Sequence, residues 1–218
     1  MFIDDLKKNF VKDEPIFIED ILRIYKEYSR ATIFRNISKA KQNGEIKQFW
    51  KGVYYFPSET ILKKSSVLLN YSVIERKYLK DSKNNIYGIF SGLKLLNDFN
   101  MTRQVPNTLE IVTNNESSRK REINIDGTTY ILRKSRTEIN NDNYKAYTIL
   151  QLLNDLDIDE LIKDNERKSL IEYINNAKIT KSDLLNMSTY FPSRVGRKLR
   201  ESGILNEIRW KKEKTLKT

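Results

Sequence analysis

The sequence contains neither cysteine nor histidine. Without them there is no disulfide, no thiolate nucleophile, no Cys/His zinc site and no Ser-His or Cys-His catalytic pair. Most familiar enzyme chemistry is thereby excluded, and the expectation is a non-enzymatic protein with no cofactor. Long apolar runs are missing as well. No stretch approaches the roughly 20 residues of a membrane span, and the segment from Met1 to Asn9, interrupted by Asp4 and Asp5, lacks the apolar stretch of a signal peptide. A cytoplasmic protein with no membrane partner is expected.

What the chain does have is length, apolar content and positive charge. Its 218 residues, 39% of them hydrophobic, suffice for one large domain or two to three small ones with real cores. The formal net charge of +11 favours a polyanionic partner such as nucleic acid, because a summed positive field steers phosphate-bearing ligands. Lys, Asn, Ile and Tyr are all abundant, however, a pattern that AT-rich codon usage produces without any ligand. The distribution of charge therefore says more than its sum.

That distribution is uneven. From Arg30 to Lys51 there are six basic residues (Arg30, Arg35, Lys39, Lys41, Lys47, Lys51) against one acid, Glu45, whereas from Met1 to Glu27 five basic residues face seven acids. Codon bias would spread lysines evenly and would not clear the acids from one segment. Two helical periods run through "EPIFIEDILRIYKEYSRATIFRNISKAKQNGEI", broken near Tyr28 and Ser29. The first puts Phe17, Ile21, Ile24 and Tyr25 on one face, with Pro15 ahead of it and Glu19 and Asp20 where the helix dipole favours acids. The second puts Ile33, Ile37 and Ala40 inward and leaves Thr32, Arg35, Asn36 and Lys39 outward, and Gly44 ends it as a C-terminal glycine cap does.

"GEIKQFWKGVYYFP" then reads as two short strands around a turn at Gly52. An isolated hairpin is barely stable in water, so Phe49, Trp50, Val53, Tyr54 and Phe56 must cover neighbouring helices. Helix, turn, basic helix and hairpin is the order of a winged helix-turn-helix with the hairpin as wing. In that fold a major-groove helix needs side chains that reach base edges: Arg35 suits guanine and Asn36 adenine. Arg30, Thr32, Lys39, Lys41, Lys47 and Lys51 complete the expected DNA-binding set, the cations gripping phosphates. The competing reading is a winged helix used for protein contacts, its basic face merely solvated.

Beyond a polar linker from Ser58 to Lys64, "SSVLLNYSVIERKYL" has Val67, Leu68, Tyr71, Ile74 and Tyr78 at helical spacing. In "IYGIFSGLKLLNDFNMTRQVPNTLEIVTN" the first half reads as an apolar helix around Ile89, Leu93 and Leu96, and "TLEIVTN" alternates like a strand. Asp126-Gly127, between two alternating runs, signals a hairpin, and "YKAYTILQLLNDL" another helix. The expected fold class is α+β: an N-terminal winged helix-turn-helix over residues 1–58, an α+β domain over 59–156 and a helical C-terminal segment over 157–218.

These motifs, taken in order, resemble the AbiEi-type antitoxins of bacterial type IV toxin–antitoxin and abortive-infection systems. The resemblance covers most of Phe17 to Leu156. It rests on the Gly52-Val53-Tyr54-Tyr55-Phe56-Pro57 end of the hairpin, on Tyr87, Gly88, Ser91 and Gly92, on Thr102-Arg103-Gln104-Val105-Pro106, and on the hairpin ending "TYILRKS". It implies a winged-helix domain that represses its own operon by binding double-stranded operator DNA. It also implies a following domain that counters a cognate toxin, a nucleotidyltransferase-like protein, in phage defence. Two alternatives stay open: a plain winged-helix regulator with an effector- or dimer-forming domain, and a nucleic-acid-processing enzyme fused to a DNA-targeting module.

A possible second basic patch comes from Arg119, Lys120 and Arg121 and from Arg133, Lys134 and Arg136 at strand ends, which equally suit charged edge strands that discourage aggregation. Near the C-terminus, "ITKSDLLNMSTYFPSRVGRKLRESGIL" reads as a small helix-turn-helix, with Arg194, Arg197, Lys198 and Arg200 on a basic surface and Val195, Leu199 and Ile204 inward. Upstream of it, Leu161, Ile162, Leu170, Ile171 and Ile174 supply the apolar positions of a further helix. Asp155, Asp157, Asp159 and Glu160 form the only carboxylate cluster. With no Gly-rich phosphate loop or second acidic motif beside it, the cluster reads as helix-capping acids and no metal site is expected. The residues from Lys211 on read as a basic tail.

Overall fold

The computed structural model describes residues 2–58, 68–125, 127–156 and 164–209, a mixed α+β chain in two compact units, Met1–Arg76 and Lys77–Thr218. Asp126, Asp157, Asp159, Glu160, Leu161, Ile162, Val67, most of the expected linker and the tail from Lys211 lie outside the described residues.

In the first unit the order is helix α1 (Phe2–Asn9), strand β1 (Ile16–Phe17), helices α2 (Ile18–Ile24) and α3 (Arg30–Gln42), strands β2 (Lys47–Trp50) and β3 (Val53–Tyr55), and helix α4 (Asn70–Ile74). β3 pairs antiparallel with both β1 and β2, giving a three-stranded sheet of order β1-β3-β2. Leu6, Ile16, Ile21, Tyr25, Ile33, Ile37, Ala40, Ile46, Tyr54 and Phe56 form the core between the helices and one face of this sheet. Each fully buried isoleucine contributes about 2 kcal/mol of transfer free energy. Phe17, Val53 and Tyr55 point to the other face, where Leu68, Val73 and the half-buried Phe49 and Trp50 cover them. At the hairpin turn Gly52 has φ +76° and its carbonyl accepts from the Ile18 N–H at 2.9 Å.

Two expectations change here. Phe17 belongs to β1, not to the face of a helix, and Ile24 is 42% exposed, so α2 buries Ile18 and Ile21 instead. Pairing with β3 takes Ile16 and Phe17 out of the helix that local periodicity suggested. α1, where the sequence suggested no element, inserts the fully buried Leu6 into the core.

α4 runs on into a wide helical turn, Glu75–Leu79. The second unit contains β4 (Gly88–Ser91), α5 (Gly92–Asp98), β5 (Thr108–Thr113), β6 (Arg121–Ile125), β7 (Thr128–Lys134), α6 (Tyr144–Asp155), α7 (Asp164–Asn176), α8 (Lys181–Ser188), α9 (Ser193–Glu201) and α10 (Ile204–Glu207). Its sheet has the order β4-β5-β7-β6, parallel between β5 and β7 and antiparallel elsewhere. Ile89 therefore lies in a strand, not the expected helix. A short apolar run has no periodicity to distinguish the two, and here pairing of Ile89 with Val112 decides. Gly88 is required sterically, since a Cβ there would lie 2.0 Å from the Tyr78 carbonyl oxygen.

α6 is buried almost all round, from Ala146 to Leu153, and joins Ile89, Leu95 and Val112 of the sheet layer to Leu170, Ile174, Leu184, Val195, Leu199 and Ile204 of the following helices in one core. The division expected at residue 157 thus runs through a single apolar cluster, and the helices after it belong to the same unit as the sheet. No helix among the described residues is long and apolar enough to cross a membrane.

Candidate nucleic-acid interface

α3 owes its start to Ser29, whose hydroxyl accepts from the Thr32 N–H at 3.1 Å. It ends at Gly44, with φ +73°, where the Glu45 N–H donates to the Ala40 carbonyl at 2.9 Å. Between these caps Ile33, Ile37 and Ala40 are buried, and Arg30, Ala31, Phe34, Arg35, Ser38, Lys39, Lys41 and Gln42 are exposed. Thr32 and Asn36 sit half-buried at the edge of the outward face, and the Thr32 hydroxyl is 2.9 Å from that of Ser29. The Thr32 hydroxyl thus also helps to hold the helix start. Phe34, Ser38 and Gln42 belong to the exposed surface. Sequence reasoning missed Ser38 and Gln42 because it looked for charge, although their spacing from Arg35 carried the signal.

The Lys41 ammonium donates to the Gln48 side chain, tying α3 to β2. Glu45, the one acid of the segment, is turned to Lys7 at 3.5 Å. Arg30, Arg35, Lys39, half-buried Lys47 and Lys51 have no carboxylate partner among the described residues. One exposed helix face and the adjoining hairpin thus carry cations that no carboxylate among the described residues neutralises.

The second unit gathers six of the ten basic residues singled out in this part of the sequence around one open cleft of about 1070 Å³. Arg119, from the loop before β6, Arg133 and Lys134 of β7, Arg136 beyond it, and Arg194 and Lys198 of α9 line it, with Glu110, Gln151, Asn154 and Asp155 among the other lining residues. Arg133 donates to Glu110 at 3.1 Å. The Arg136 guanidinium lies 5.4 Å from the Phe191 ring centre, and its backbone N–H donates to the Tyr147 hydroxyl at 2.9 Å. Arg194 donates to the Asn154 side chain at 3.2 Å. Arg119 has no carboxylate partner among the described residues. Asp155, at the C-terminal end of α6, accepts from the Gly92 N–H at 2.9 Å and from Gln151 at 2.8 Å; its burial outweighs these donors and pushes its carboxyl above the usual value.

Four of the expected cations go elsewhere, Lys120 to the exposed surface outside the cleft. Arg121 donates to Glu116, with Nη2 at 2.6 Å and Nε at 2.7 Å. Burial alone would raise the Glu116 carboxyl, but the Ser118 and Ser117 N–H groups and the Arg121 guanidinium overcome it and hold it below the usual value. Arg197 and Arg200 are exposed on α9 and do not line the cleft. Lys198, expected on a basic surface, is only 4% exposed, and its ammonium donates to the Leu153 carbonyl at 3.1 Å and to that of Leu156 at the end of α6. Its aliphatic stem follows the apolar side of α9 and its charge meets the carbonyl end of a helix, which is why burial is tolerated.

Among the described residues no group of three or more acidic side chains is placed to hold a metal ion. No protein-family model matches the chain, and no curated protein is significantly similar to it.

Proposed function

We propose that this protein is a DNA-binding autorepressor and antitoxin of the AbiEi type. The observation that carries the reading is the set of cations on α3 and the β2–β3 hairpin that find no carboxylate partner among the described residues. The order α1-β1-α2-α3-β2-β3, with β1 against β3, supports a winged helix in which α3 enters the major groove and the hairpin is the wing. Arg35, exposed at the middle of α3, is the base-reading residue, joined by Asn36 at the edge, while Arg30, Lys39, Lys47 and Lys51 grip phosphates. Lys41 acts through Gln48 to hold the wing against α3. The second unit, which carries the Tyr87, Gly88, Ser91 and Gly92 motif of the resemblance, counters the nucleotidyltransferase-like toxin, and the chain itself is not an enzyme.

The test is binding of the full chain to a labelled fragment of its own promoter against scrambled DNA across a salt series. Preference for the promoter that persists as salt rises is expected. Equal, salt-sensitive loss on both DNAs would refute operator recognition. In cells, Arg35→Ala with Lys39→Ala should abolish repression and leave rescue from the co-expressed neighbouring gene product intact; loss of both would refute the division of labour.

A further inference from the structure

We propose that the basic cleft of the second unit binds a nucleoside polyphosphate. The proposal is separate from DNA recognition and needs none of the α3 cations. Six cations from three parts of the chain line a single volume, against two carboxylates, Glu110 and Asp155. Arg133 faces Glu110 and Lys198 the carbonyl end of α6, which leaves Arg119, Lys134, Arg136 and Arg194 with no carboxylate partner among the described residues, and like charges gathered around a concavity repel one another unless an anion sits between them. Arg119 meets no carboxylate among the described residues, and Arg136 rests on the Phe191 ring, likewise with no carboxylate partner among them.

Size and lining choose among anions. The volume of about 1070 Å³ is close to the upper end of what small-ligand pockets occupy. The lining is also mixed. Arg119, Lys134 and Arg136 suit a phosphate chain; Asp155, Gln151 and Asn154 supply the acceptors and amides that ribose hydroxyls and base edges need. A ligand anionic at one end and rich in donors at the other matches both parts. Inorganic phosphate alone would leave the carboxylate side unused.

The experiment is calorimetric titration of the full chain with ATP and with GTP in the presence of Mg²⁺, beside inorganic tripolyphosphate and a short single-stranded oligothymidylate. Saturable one-to-one binding of at least one nucleotide is expected, weakened about tenfold or more for each of Arg119→Ala and Arg136→Ala, since each removes a charge-assisted hydrogen bond. Arg197→Ala with Arg200→Ala, on the same α9 but outside the cleft, and Arg35→Ala on α3 should leave it unchanged. Circular dichroism melts of the Arg119 and Arg136 variants should match the native protein and so separate lost binding from lost structure. Absence of saturable nucleotide binding would overturn the proposal, as would equal loss in the Arg197 and Arg200 variant. Tripolyphosphate binding as tightly as ATP would overturn recognition of the nucleoside. Oligothymidylate binding through Arg119 and Arg136 with no nucleotide binding would replace the proposal with a single-strand groove.

Discussion

Salt dependence gives the DNA-binding reading a number. Arg30, Lys39, Lys47 and Lys51 are the cations of α3 and the hairpin assigned to phosphates, and none has a carboxylate partner among the described residues. Each phosphate neutralised on B-DNA releases counterions worth about −0.9 in the slope of log affinity against log salt, so four contacts give about −3.6. Raising salt from about 50 to about 200 mM should then weaken binding about 150-fold. Lys47→Ala with Lys51→Ala should flatten the slope to about −1.8 on operator and scrambled duplex alike. Fluorescence anisotropy of a labelled duplex at four or five salt concentrations reads this directly. A native slope shallower than about −2, or a double variant whose slope does not change, would refute the assignment of these side chains to the phosphate backbone.

Other outcomes follow from single contacts. Arg35→Ala should cost about 1–3 kcal/mol on the operator and relax one base position in a selection experiment, while leaving the salt slope nearly unchanged. Gly88→Ala should lower the melting temperature markedly and reduce soluble yield, because its Cβ would meet the Tyr78 carbonyl at 2.0 Å and backbone must move. Buried Glu116 and half-buried Asp155 should respond oppositely to pH. Glu116, held low, adds stability above its ordinary value that is lost as pH falls through its folded value, so Glu116→Gln should lose ground to the native protein as pH rises through that range. Asp155, pushed up by burial, is best tolerated protonated, so Asp155→Asn should gain ground on the native protein as pH rises through the range above its ordinary value. Thermal melts across the acid range check both.

Features set by near neighbours in the chain were legible in the sequence. The spacing of Ile33, Ile37 and Ala40, the glycine after α3 and the Gly127 turn each depend on residues within a helical turn or a tight loop. Features set by distant partners were not. β1 is two residues long and exists because β3 pairs with it, and β4 because β5 does. The fate of individual cations was hidden for the same reason. Arg121 and Arg133 look equivalent as strand-end arginines, yet Arg121 meets Glu116 away from the cleft and Arg133 meets Glu110 in a cleft that α9 also lines. Lys198 and Arg197 are adjacent in sequence and differ only in which turned toward the end of α6.

The covering of the three-stranded sheet by Leu68 and Val73 bears on how this protein can be cut. A fragment ending at Pro57 would keep every helix and strand of the expected DNA-binding module, yet it would strip the lid from Phe17, Val53 and Tyr55 and bare an aromatic surface to water. Such a fragment should self-associate at the concentrations needed for binding work, and its failure would say nothing about DNA. A fragment carried through Arg76 retains its own cover.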